Sequence, residues 1–315
     1  MRSLYKWSGL LTLSILAVLL AGCSSDTSRA GKLRVVATFS ILGDLVQNVA
    51  GDHAEVTTLV GPDGDAHTFE PTPKDGVALA NAALIFENGV HFEEWLDKLY
   101  KSSKSKAKRV VVTTGLELRE GACHHSAQEK QKGHHHHDDD PHVWHDVRNA
   151  IHMVGVIRDA LAEADPPNAA KYQANASAYL DRLEQLHTWV EQTVATLPKE
   201  RRKLITNHDT FGYFAERYDF AVVGTLLSSI STEASDPSPA TFAKLVESVK
   251  AAKVPAIFTE NVHNPKLMER LAKEAGVKLA PTLLTDALGK PGSLGDTYEK
   301  LIRYNVNIIV DALKP

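Results

Sequence analysis

The sequence has only two cysteines, Cys23 and Cys123, in 315 residues. A disulfide framework is therefore excluded as its main support, and its cores must be held by apolar burial. It lacks a G-x-x-x-x-G-K-[ST] loop, so ATP chemistry of the P-loop kind would have to belong to another chain. It lacks an H-E-x-x-H helix, which removes the common arrangement of a zinc hydrolase. It also lacks any excess of positive charge: the formal net charge is −4, which carries no nucleic-acid signal. The apolar run "GLLTLSILAVLLAG" (Gly9–Gly22) falls short of the roughly 20 residues of an ordinary membrane span and is wrongly flanked for one.

That run instead follows Arg2 and Lys6, as in an export signal occupying residues 1–22. It ends in "LAGC" (Leu20–Cys23), which looks like a bacterial lipobox. In that pattern Cys23 becomes the lipid-modified first residue, with several acyl chains for stable anchoring; a plain signal peptide is the alternative. Residues 23–32 read as a polar tether. Once Cys23 is lipidated, Cys123 has no partner. It is a loop cysteine without a role or, beside His124 and His125, a metal ligand, and the first fits better. About 290 residues remain after the signal, comfortable for two lobes.

Beyond the tether, β-branched runs alternate with amphipathic stretches. "LRVVATFS", "AEVTTLV", "ALIFENG" and "KRVVVTTG" predict strands, separated by helices, and imply a parallel sheet in an N-terminal α/β lobe over 33–150. Periodicity lapses over about 117–141, a His- and Asp-rich polar loop. Residues 151–199 predict linking helices. Leu180, Leu183, Leu186, Val190, Val194 and Leu197 keep helical spacing in one helix of about thirty residues ending near Pro198, long enough to join two lobes. The strand–helix rhythm then resumes over 200–315. The expected fold class is α/β: two parallel-sheet lobes bridged by one long helix.

Four side chains able to bind a metal fall just beyond a strand or at a loop edge, where open α/β sheets hold their ligands. They are His67 in "GDAHTFEPTP", His142 in "DPHVWHD", His208 in "TNHDTFGYF" and Asp286 in "LLTDALG". Each alone has an ordinary explanation as a surface, turn or capping residue. Together they are better placed than chance, since all sit where two lobes could face each other.

"DAHTFEPTP", "DPHVWHD", "TNHDTFGYFAERY", "EASDPSPATFAKLVESVK", "FTENVHNP" and "LLTDALG" occur here in order. In this the chain resembles the bacterial zinc/manganese ABC-transporter solute-binding lipoproteins of cluster A-I, of the zinc type, over nearly its whole length after the tether. The resemblance implies two α/β lobes bridged by a long helix, with a metal site in the interlobe cleft. It implies His67, His142, His208 and Asp286 as ligands, two from each lobe, and Glu260 as an acidic residue behind them. It implies no enzymatic activity. The protein would be exported, held on the bacterial membrane through Cys23 and monomeric, and would serve a membrane permease driven by a separate ATPase.

Three imidazoles and one carboxylate suit Zn²⁺, whereas Mn²⁺ favours more oxygen, so His rather than Glu at 208 argues for zinc. The chain departs from the family at His145, where an apolar residue is usual. Solvent exposure or a supporting role behind the ligands fits His145 better than ligation. His134, His135, His136 and His137 would be weak, exchangeable sites in the polar loop, or part of a merely solvated tract. A manganese importer component, a zinc-storage or adhesin lipoprotein and, further off, a metal-dependent hydrolase remain as rivals. Excising 121–140 would separate a cleft site from a loop site.

Overall fold

The computed structural model describes residues 31–121, 139–227, 229, 231–233 and 236–315. Cys23, Cys123 and His134–His137 lie outside the described residues. The apolar run Leu33–Phe39 forms β1, whose last five residues are buried. A strand covered on both faces reads as a continuous apolar run and not as an alternation. β2 (Ala54–Val60) pairs with one side of β1, and β3 (Leu84–Glu87) pairs with the other; β4 (Lys108–Val111) lies beyond β3. All three pairings are parallel. The helices α1 (Ser40–Ala50), α2 (Pro73–Asn81) and α3 (Glu94–Ser103) make the connections. The chain moves outward from β1 to β2 and then returns to the far side of β1, so its direction of travel reverses between β1 and β3. Such a reversal leaves a crevice at the carboxyl ends of the strands.

The second half repeats the parallel pairing in smaller pieces. β5 (Lys203–Thr206) pairs with β6 (Ala221–Thr225), and β7 (Ala256–Glu260) pairs with β8 (Lys278–Leu283). β5 and β7 adjoin. Between and after them run α6 (Gly212–Tyr218), α7 (Pro239–Ala252), α8 (Lys266–Ala275) and α9 (Tyr298–Leu313). Ser238 caps α7 by accepting from the Thr241 N–H, with Pro239 at the first helical position. Gly276 ends α8 at φ 72°, a left-handed conformation that a residue without Cβ adopts cheaply.

Two helices join the halves: α4 (Val147–Ala164) and α5 (Ala169–Ala195). The 27 residues of α5 span about 40 Å. It stops before Pro198 because Thr196 and Leu197 close onto Thr193 and Val194 in a tighter turn. Tyr172, Ala176, Tyr179, Leu183, Leu186, Val190 and Val194 return every three or four residues and are buried. This face meets α1 and α4 of the first half and α6 and α9 of the second. One apolar cluster consequently runs from Phe39 and Trp144 through Leu183 to Ile309, and residues 33–315 hold together as one unit. α4 crosses position 150/151, so the expected lobe boundary falls inside a helix.

Candidate metal centre

His67 lies in the loop after β2. Its N–H donates to Asp65 Oδ1 at 2.9 Å, and the Trp95 indole N–H donates to the adjoining Ala66 carbonyl at 2.8 Å. The Phe92 ring packs edge-on against the imidazole at 4.6 Å. The loop is also fastened to the second half. Asp63 N–H donates to the Leu288 carbonyl at 2.9 Å, and Thr232 Oγ1 donates to Asp65 Oδ2 at 2.7 Å.

His142 is placed by the crevice between β1 and β3. Asn88, one residue past β3, donates through Nδ2 to the Pro141 carbonyl at 2.9 Å. Asp140 Oδ1 then accepts both the His142 N–H at 3.0 Å and Nδ1–H at 2.7 Å, which turns Nε2 inward. Asp140 Oδ2 accepts from Arg119 Nη1 at 2.8 Å. A Cβ on Gly212 would run into that guanidinium and crowd Asp140 Oδ2, so any larger residue at the start of α6 would have to push the Arg119 side chain aside.

His208, two residues past β5, is held by Glu260, the last residue of β7. Glu260 Oε1 accepts the N–H groups of Asn207 (2.7 Å) and His208 (3.1 Å), while Oε2 takes His208 Nδ1–H at 2.5 Å. Asp286 follows β8 by three residues. The preceding Thr285 donates its N–H to Asn261 Oδ1 at 3.1 Å and accepts the Trp144 indole N–H at 2.9 Å.

These four loops bring His67, His142, His208 and Asp286 together, with one candidate ligand atom from each within 4.8 Å of the others. His142 Nε2 is 3.3 Å from both His67 Nε2 and His208 Nε2. Asp286 carboxylate oxygens lie 3.2 Å from His208 Nε2, 3.6 Å from His142 Nε2 and 3.7 Å from His67 Nε2. A tetrahedral ion with bonds of about 2.0 Å requires ligand separations of about 3.3 Å, so the cluster is already near that size. Neither Asp286 oxygen has a well-placed hydrogen-bond donor among the described residues, although the side chain is fully buried. A buried carboxylate whose close neighbours are imidazoles and not well-aligned donors is costly, and a cation at the centre would relieve it.

The electrostatics favour the same occupant. Burial, aided by the charges of His142 and His208, lowers His67 to about 3, so its imidazole is neutral and ready to ligate. Burial also opposes a charge on His208, but Glu260 and Asp286 outweigh it and hold that proton well above the ordinary histidine value. Burial pushes Asp286 up, and the surrounding histidines, His208 first, reverse this and hold it below the usual carboxylate range. Asp140 behaves alike: burial raises it, while His142 and Arg119 outweigh burial.

His145 is not solvent-exposed; it is buried at 1% exposure. It ends the short 3-10 turn Val143–His145, which carries its ring away from the four-residue cluster. There it packs on Phe211 at 4.6 Å and sits 3.2 Å from Thr210 Oγ1. Burial lowers its pKa to about 3, so it is a neutral packing residue. Sequence reading missed Asp140, Arg119 and Asn88. Asp140 left a signal, an acidic residue two before a histidine across a proline. It also missed His263, whose Nε2 lies 3.3 Å from His208 Nδ1.

The arrangement is that of a substrate-binding component of a metal ABC transporter, a binding protein and not an enzyme. Over residues 35–312 the chain matches the family described as zinc-uptake complex component A, periplasmic (ZnuA), and it belongs to that family. It is 33% identical over 307 residues to the manganese-binding lipoprotein MntA of Halalkalibacterium halodurans, covering 95% of this chain and 96% of MntA. It is 30% identical over 319 residues to the manganese ABC transporter substrate-binding lipoprotein PsaA of Streptococcus pneumoniae, covering 98% and 99%. Among solved structures, the periplasmic zinc-binding protein TroA of Treponema pallidum superposes with a TM-score of 0.80 at 30% identity, covering 90% of this chain and 100% of TroA. The two-lobe α/β architecture expected from the sequence is that of these neighbours.

Proposed function

We propose that the protein captures Zn²⁺ outside the cytoplasm and delivers it to a membrane permease powered by a separate ATPase. His67, His142, His208 and Asp286 would be the ligands, and Glu260 the carboxylate that orients His208. One observation carries the reading: three imidazole nitrogens and a buried carboxylate, whose neighbours are those same imidazoles, converge at separations near those of a tetrahedral N₃O site. The chain would be tethered through Cys23 and act as a monomer; among the described residues no helix is long and apolar enough to cross a membrane. His134–His137 would collect metal weakly for the buried site.

Elemental analysis of protein purified without tags or chelators, followed by Zn²⁺/Mn²⁺ competition, tests the metal. Tight zinc binding that survives His208→Ala would refute the site. Excision of 122–138 tests the loop. The excision must spare Asp140, because that carboxylate holds His142. One high-affinity site should remain.

Manganese is the second reading. Both Asp286 oxygens face the cluster, Oδ1 toward His142 and Oδ2 toward His67 and His208, so two-oxygen coordination is open to a larger, oxygen-preferring ion. The names of MntA and PsaA point the same way.

A further inference from the structure

Beyond the four-residue cluster, His208, Glu260 and His263 form a second group, with one candidate ligand atom from each within 4.8 Å of the others. His263 Nε2 is 3.3 Å from His208 Nδ1 and 3.8 Å from Glu260 Oε2. These separations again approach the roughly 3.3 Å edge of a tetrahedral ion. The two groups share one ring: His208 turns Nε2 to the inner cluster and Nδ1 to the outer one. The outer group also reaches water. The His263 side chain keeps 11% exposure, against 5% for His67 and 0% for His142, His208, Glu260 and Asp286. The carboxylates acting on His263 are Glu260, Asp286 and Asp65, which together attract a cation.

We propose that His263, Glu260 and the Nδ1 face of His208 form an outer station where a divalent cation of the zinc kind pauses on its way into and out of the buried cluster. The proposal rests on the reading of His67, His142, His208 and Asp286 as the inner ligands. At the outer station the ion takes the place of the His208 Nδ1 proton, which leaves to water, and His208 keeps its proton on Nε2 beside Asp286. On moving inward the ion displaces the Nε2 proton, and Nδ1 regains one that Glu260 accepts as a hydrogen bond. His208 is one proton short in both states, so the ion changes sides of a single imidazole without an imidazolate. The short His208–Glu260 contact must open for the ion to enter, which makes the station a transient stop and not a store.

Two experiments on the full-length protein test this. In stopped-flow mixing with Zn²⁺, read through the fluorescence of Trp144 beside His142, His263→Ala should slow uptake by about tenfold. It should also slow release to a chelator, because a stop on the way in is a stop on the way out. Mere structural damage would speed release. Second, crystals of Asp286→Asn grown with Zn²⁺ should show anomalous density between His208 Nδ1, Glu260 Oε2 and His263 Nε2. Parental rates in His263→Ala, faster release, or no density at that position would each overturn the outer station. Crystals of the parent protein judge the underlying reading separately: density among His67, His142, His208 and Asp286 upholds it whatever the variants show, and its absence there refutes it.

Discussion

Loading the buried cluster should expel a proton, and the count can be worked from its neighbours. His208 sits between two carboxylates, Glu260 at Nδ1 and Asp286 at Nε2, which hold it protonated well above the ordinary histidine value. His67, lowered to about 3, carries no proton to lose near neutrality. An ion arriving at His208 Nε2 must displace one proton, while the Nδ1–H stays with Glu260. Below the raised pKa of His208, apparent affinity should therefore fall about tenfold for each unit of acidification, or ~1.4 kcal/mol per unit. The sign follows from which state holds the proton: the metal-free protein binds it, so acid favours the metal-free protein. Calorimetry at pH 7 in buffers of different ionisation enthalpy should give about one proton released from His208 per ion. Chelator competition between pH 6 and 8 should give the matching slope. Glu260→Gln removes one of the two stabilising charges and should flatten the slope while weakening binding. A flat affinity across this range, with no proton released, would refute the assignment of His208 as a charged residue awaiting its metal.

Other consequences are equally specific. Asp140→Ala should weaken zinc binding roughly 10- to 100-fold by freeing the His142 ring, with Asp140→Asn losing less because its oxygen still accepts from Nδ1–H; competition titration reads both. Gly212→Ala touches none of the four clustered side chains, yet the added methyl displaces Arg119 from Asp140, so affinity should fall in the same direction by a smaller factor. Trp144→Phe leaves the Thr285 carbonyl without its donor and should cost about 1–3 kcal/mol in denaturant unfolding. Ser238→Ala at the head of α7 should cost about 1 kcal/mol by the same measurement and leave metal binding unchanged.

The strands and helices were legible because their periods are local. The apolar run Leu33–Phe39, Ser238-Pro239 at the head of α7 and Gly276 at the end of α8 each announce an element from within a few residues. Four of the clustered side chains were also legible, since each follows a strand closely and stands in an ordered set of motifs. What stayed hidden depends on distant pairs. Arg119 reaches Asp140 across 21 positions, Asn88 reaches Pro141 across 53, and His263 meets His208 across 55. No period or spacing encodes such meetings. His145 shows the opposite failure: a histidine three residues from clustered His142 invites a polar role, but the 3-10 turn takes three residues to change direction and seals the ring against Phe211.

The apolar cluster shared through α5 has a consequence for how this molecule comes apart. Two lobes with separate interiors would melt in two steps, and either could be expressed alone. Here α1 and α4 share the face of α5 with α6 and α9, so cutting the chain at either end of α5 strips apolar cover from both halves at once. Neither fragment should fold by itself, and the intact protein should melt in one cooperative transition. A mutation in α9 would then be felt, through α1 and the shared cluster, as lost stability beneath β1.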